Sequence, residues 1–243
     1  MEMTPLRFWF ALVPAMSLPC IASLFYFVLF QESAWTRILY SSIKLFTLVW
    51  PIVVFYWIWQ RPFPKFSLQW NVHLHSLFWG LLTGCAIVFF MFGILQTPLG
   101  NVVYESTEFI RKKSEQMGIL EYYWAFALFL SLIHSLLEEY YWRWFVFKSL
   151  REYLPNVMMA HLLAGVAFAS HHIVVTTQFF PLGWGIFFGS SVGVGGILWS
   201  VMYEKQHSLL GCWISHLLVD LGIFTIGHKM LFGKNKYNQG RSC

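Results

Sequence analysis

Apolar residues run along this chain in long blocks, without the alternation of a half-buried strand or the one-sided stripe of a soluble helix. The blocks lie at about 8–30, 38–59, 76–96, 122–147, 157–180, 183–203 and 208–227. A helix needs roughly 20 apolar residues to cross about 30 Å of hydrocarbon, so the pattern predicts seven membrane-spanning helices. Helices satisfy their own backbone polar groups, which lipid cannot do. The expected fold class is therefore all-α, a polytopic membrane protein. The block at 8–30 is longer than a signal-peptide core and more blocks follow it, so it reads as a retained span. Short polar links join the blocks, Gln60-Arg61-Pro62-Phe63-Pro64-Lys65 among them. The longest link, about 97–121, carries Glu105, Glu108, Arg111, Lys112, Lys113 and Glu115 and is expected to lie as a helix on the surface. Gly185, Gly189 and Gly193 recur every four residues in the sixth block. They share one helix face and predict a close-packed seam with a neighbouring helix.

Composition narrows the setting. The 243 residues are 58% hydrophobic and only 11% charged, with a mean hydropathy of +0.58. A soluble domain carries about a quarter charged residues, so most of this surface must face something other than water. One residue in five is aromatic, which suits two bilayer interfaces. The basic pI, about 9.0, comes from Lys and Arg spread through the links with no patch, so no nucleic-acid partner is expected. By the positive-inside rule those residues favour a cytoplasmic C-terminus by a small margin. Cys20, Cys85, Cys212 and Cys243 form no CxxC pair, and neither a disulfide framework nor a zinc ribbon follows from them.

Charge inside the spans is what carries chemistry. An ionisable group at mid-bilayer costs several kcal/mol and is a functional candidate by default. Glu2, Glu32, Glu105, Glu108, Glu115, Glu121, Glu152 and Glu204 all fall in links or at span ends. Only Glu138, Glu139 and Asp220 lie within blocks, and Asp220 is the only aspartate in the protein. Asp220 stands four residues after His216, one turn on along the same helix face. His171 and His172 lie side by side in the fifth block. With a rise of about 1.5 Å per residue, Glu138, His172, His216 and Asp220 each sit roughly 10–20 Å from a span end, so all four can meet in one cavity. Neighbouring helical positions point about 100° apart, from the 3.6-residue turn, so Glu138 and Glu139 should have different roles. Arg143 is four residues beyond Glu139, the spacing of a helix-face pair. Glu139 is expected to pair with it and leave Glu138 free. His134 and His161 are read as helix-to-helix hydrogen bonders.

Glu138-Glu139-Tyr140-Tyr141-Trp142-Arg143 fits EExxxR, Phe168-Ala169-Ser170-His171-His172 fits FxxxH, and His216-Leu217-Leu218-Val219-Asp220 fits HxxxD. In that order, each inside an apolar helix, they resemble the three motifs of the CAAX protease and bacteriocin-processing (CPBP) family, over roughly residues 120–227. The resemblance implies an intramembrane glutamic endopeptidase with no cofactor and no metal. By motif position Glu138 would activate a water, His172 would orient it, and His216 and Asp220 would hold the oxyanion. Glu139, Arg143 and Phe168 would support them. The family often has Asn where this chain has Asp220, which leaves open whether that group donates a hydrogen bond or positions His216. Motif position also favours His172 over His171. Implied partners are the bilayer and a membrane-associated protein or peptide: a prenylated tail, a leader peptide or a sorting tail. The implied location is the inner or plasma membrane. Residues 1–119 would then be N-terminal spans and surface linker, 120–227 the catalytic core, and 228–243 a loose basic tail.

Other classes remain open on the sequence. A non-catalytic immunity or binding protein could keep the same helices without turnover. A zinc peptidase could use His172, His216 and an acid, since three protein ligands and a water make a catalytic zinc site, although there is no HExxH. A proton-coupled transporter would use the same residue types but would often show two similar halves, and none are visible.

Overall fold

The computed structural model describes residues 4–30, 34–62 and 69–233, with side chains from residue 38 onward in the second segment. No strand occurs among the described residues. Six helices are long and apolar enough to cross a membrane: Pro5–Leu29, Ile38–Ile58, Trp70–Ile94, Val157–Thr176, Leu182–Gln206 and Leu209–Phe232. The protein is thus an integral, multi-pass membrane protein. Their outer faces carry large apolar side chains with no protein cover, such as Leu6, Trp57, Phe78 and Phe89. Such a surface is stable only against lipid.

The fourth predicted block behaves differently from the rest. It is one continuous helical run, 123–153, but an interrupted one. Helix α6 (Tyr123–Phe129) passes through a π-helical turn, Leu130–His134, into α7 (Ser135–Glu139). A longer π-helical stretch, Tyr140–Phe147, leads into α8 (Lys148–Tyr153). Both intramembrane glutamates therefore sit in five residues of α-helix flanked by π geometry, a local irregularity that often marks functional sites. Residues 141–147 are buried without exception, so this run is the hub of the bundle.

The remaining helices pack round that hub. Helices α1 (Pro5–Leu24) and α2 (Ala34–Val53) each end in a π-helical turn, Phe25–Leu29 and Val54–Ile58. They dock through Phe8 stacked on Tyr153 at 3.8 Å, Trp59 against Phe145, and the Tyr141 hydroxyl donating to the Ala15 carbonyl at 2.8 Å. The expected surface link folds as two short helices, α4 (Pro98–Glu105) and α5 (Thr107–Gln116), broken at Ser106. The Arg111 guanidinium ties α5 to the Leu231 carbonyl. Helix α9 (Val157–Thr176) starts at Asn156, whose side chain accepts from the Met158 and Met159 amides. Helix α10 (Leu182–Gln206) stops at His207, a left-handed residue with φ of 51°. Ser208 then caps α11 (Leu209–Phe232) by accepting from the Leu210 amide. The C-terminal helix runs five residues past the predicted block, to Phe232, and residues 234–243 of the expected tail lie outside the described residues.

Two glycine seams set the helix spacing. As the spacing of Gly185, Gly189 and Gly193 predicts, a Cβ at these positions would meet Thr177 at the C-cap of α9, and Ile173 and Ala169 within it, at 2.5–2.6 Å. The second seam has the same four-residue spacing of small residues, Ser76, Gly80 and Gly84. On α3 (Trp70–Ile94) only Ser76, Gly80 and Gly84 are buried, and they face α11 so closely that a Cβ on Gly80 would lie 2.4 Å from the Gly211 carbonyl oxygen. Gly189→Ala is expected to lower the thermal midpoint, because its Cβ would meet Ile173 backbone at 2.5 Å. Gly195→Ala, whose nearest neighbour is the Trp199 ring at 3.7 Å, should be neutral or slightly stabilising, since alanine is the better helix former by about 1 kcal/mol. Thermal unfolding of the two detergent-purified variants compares them directly.

Candidate active site

Glu138 and Glu139 reach inward from α7 and meet side chains of their own helical run and of two other spans, α9 and α11. The Glu139 carboxylate is completely buried. It lies 3.1 Å from Arg143 Nε through one oxygen and accepts from His216 Nδ1 at 2.7 Å through the other. The expected pairing of Glu139 with Arg143 therefore forms. Arg143 is also 1% exposed, and its guanidinium rests 4.4 Å from the Phe168 ring centroid and 5.0 Å from that of Trp199. Gly196 leaves room for this, its carbonyl accepting from Arg143 Nη2 at 3.4 Å. Aromatic faces and one carboxylate replace the water that a buried guanidinium loses.

Glu138 takes no part in the Arg143 pair, and imidazoles surround its carboxylate instead. His134 Nε2 and His171 Nε2 both stand 3.3 Å from Glu138 Oε1, while His216 Nε2 stands 3.8 Å from Oε2. Both glutamates thus reach His216, despite pointing in different directions along α7. Its imidazole lies between them and offers one nitrogen to each. His216 is held in place by Trp199, stacked on it at 4.2 Å, and Asp220 Oδ1 lies 3.7 Å from its Nε2.

The two histidines of α9 divide the remaining positions. His171 is buried, contacts Glu138 and stacks on Trp142 at 5.5 Å, nearly parallel. His172 is half-buried, and its Nδ1 lies 3.0 Å from the Phe168 carbonyl oxygen. A carbonyl only accepts, so Nδ1 carries the proton and Nε2 of the neutral ring has its lone pair free. Glu138, His171 and His172 each offer one ligand atom, all within 4.8 Å of one another, a grouping able to hold a metal ion. Phe168 sits at the centre, touching Trp142, His171, His172, Trp199 and His216.

The structure brings Glu138, His172, His216 and Asp220 into one cluster, with Glu139, Arg143 and Phe168 beneath them. His161 does act as a helix-to-helix bonder, through Glu204 at 2.8 Å. His134 also bonds across helices, to Lys44 of α2, and in addition faces Glu138, one turn further along its own run. Lys44 is a residue the sequence reading missed. Its Nζ lies 3.1 Å from His134 Nδ1. An audit of charges within spans that included bases as well as acids would have found it, since it is the only charged residue between Ile38 and Ile58.

Among the described residues, carboxylates, imidazoles and one guanidinium are thus buried together where the apolar helical runs of a multi-pass membrane protein meet. Residues 120–222, somewhat under half of the chain, match the family model described as Rce1-like, type II CAAX prenyl endopeptidase, so this segment is similar to a family of CAAX-type membrane proteases. All three motifs fall within the match, and α1 to α5 precede it. Among curated proteins and solved structures, none matches the chain.

Proposed function

We propose that the protein is a glutamic endopeptidase that hydrolyses a peptide bond in a membrane-associated protein or peptide within its helix bundle. The supporting observation is the arrangement round Glu138. Two imidazoles converge on one oxygen of its carboxylate, and the other oxygen faces His216 and the Asp220 side. Glu138 takes a proton from water as the water oxygen bonds to the scissile carbonyl carbon. The bare Nε2 of His172 accepts the water's second hydrogen bond and aims it. Negative charge then collects on the former carbonyl oxygen, which needs preorganised donors. His216 has Nδ1–H committed to Glu139, so Nε2 donates to this oxyanion as the imidazolium, with Asp220 orienting the ring. As the C–N bond breaks, Glu138 returns its proton to the leaving amine. General base action by one such carboxylate is worth about 10²–10⁴-fold.

A second reading has its own observation. Glu138, His171 and His172 would supply three ligands and leave a fourth position for water, as in catalytic zinc sites. The glutamic reading predicts that cleavage by the protein in proteoliposomes continues in excess EDTA, and that the purified protein lacks stoichiometric zinc by elemental analysis. Activity lost on chelation and restored by zinc would replace the first reading with the second.

A further inference from the structure

We propose that Lys44, outside the matched segment, is a positioning residue that holds His134 in the tautomer able to donate to Glu138. The proposal rests on Glu138 as the base only for its effect on turnover. Lys44 lies on α2, about 9 Å of helix rise beyond Ile38 and about 21 Å before Ile58, so its ammonium is well inside the span. A charge at that depth needs a partner. The Tyr40 ring, with its centroid 5.4 Å from Nζ, and His134 Nδ1, at 3.1 Å, meet it.

The direction of the hydrogen bonds follows from valence. An ammonium has three N–H groups and no acceptor, so His134 Nδ1 must accept. A neutral imidazole with Nδ1 accepting carries its proton on Nε2, and that nitrogen stands 3.3 Å from Glu138 Oε1. The chain runs one way, from Lys44 through His134 to Glu138. With His171 also at Oε1, the oxygen left for the water proton is Oε2. Without Lys44, His134 is free to carry its proton on Nδ1. Its bare Nε2 would then face Oε1, lone pair against lone pair, and the carboxylate would lose its orientation. Helix α2 does not depend on Lys44 to dock. The Tyr140 hydroxyl donates to the Leu48 carbonyl at 3.3 Å, and Trp50 Nε1 donates to the Ala11 carbonyl at 3.0 Å.

The test is a tautomer measurement joined to kinetics. The full-length protein, labelled with ¹⁵N-histidine in lipid nanodiscs, should show His134 with an unprotonated Nδ1, the signal being assigned by its loss in His134→Gln. Lys44→Met should shift that signal towards Nδ1–H, and Lys44→Arg should restore it. With an internally quenched prenylated CAAX-type peptide, Lys44→Met should lower kcat by about ten- to a hundredfold, the scale of a misplaced catalytic group, and leave KM within about twofold. Thermal unfolding should be unchanged. In a His134→Gln background Lys44→Met should have no further effect, because both act along one path. A protonated Nδ1 in the wild type, or a His134 signal indifferent to Lys44→Met, overturns the proposal. So does a Lys44→Met effect confined to KM, which would make Lys44 a substrate contact. Glu138→Gln is measured alongside. If that variant still turns over, the base assignment fails, and the tautomer result stands or falls by itself.

Discussion

Glu138→Gln is expected to abolish peptide cleavage and leave folded yield and thermal stability nearly intact. The substitution keeps the shape of the side chain and an acceptor oxygen for His134 and His171, but an amide cannot take a proton from water. On the general-base role proposed for Glu138, turnover should fall by about 10³-fold or more, towards background. Stability should change by no more than about 1 kcal/mol, since no packing is lost and a buried charge is removed. The measurement pairs turnover in proteoliposomes with the folded fraction by size-exclusion chromatography. Retained turnover would move the base elsewhere, or point to a fold that has kept its helices and does no chemistry.

Glu139→Gln should give the opposite pattern: a protein that folds poorly and loses activity because of it. Arg143 is 1% exposed and the Glu139 carboxylate 3.1 Å from Nε is its ion-pair partner, so neutralising Glu139 strands a guanidinium in the core. Breaking a buried pair from one side costs about 3–5 kcal/mol. The second consequence is at His216, whose Nδ1 donates to Glu139 Oε1 at 2.7 Å. The amide oxygen can still accept there, so His216 should stay oriented if the chain folds. The double variant Glu139→Gln with Arg143→Met should therefore regain much of the lost stability, because it removes the stranded charge as well. A stable but inactive Glu139→Gln protein would reverse the roles assigned to the two glutamates.

Much of this molecule is legible along the chain, for reasons tied to length and cost. Lipid requires about 20 apolar residues per span, so six of the seven blocks appear as long apolar helices near their predicted limits. A charge in hydrocarbon is expensive enough that Glu138, Glu139 and Asp220 stand out without any alignment. The four-residue spacing that pairs Glu139 with Arg143, and that sets Gly185, Gly189 and Gly193 on one face, is a property of the helix alone, and both are realised. What the tertiary structure decided is which groups meet across helices. Periodicity says that Glu138 and Glu139 point apart. It does not say that a ring from α11 would stand between them and use both its nitrogens. Nothing local to His134 says that Lys44, 90 residues earlier, lies against its Nδ1. The π-helical turns on either side of α7 belong to the same category. Local sequence sets the period of a helix, but the angle at which each side chain enters a shared cavity depends on how neighbouring helices pack, and that is fixed only when they assemble.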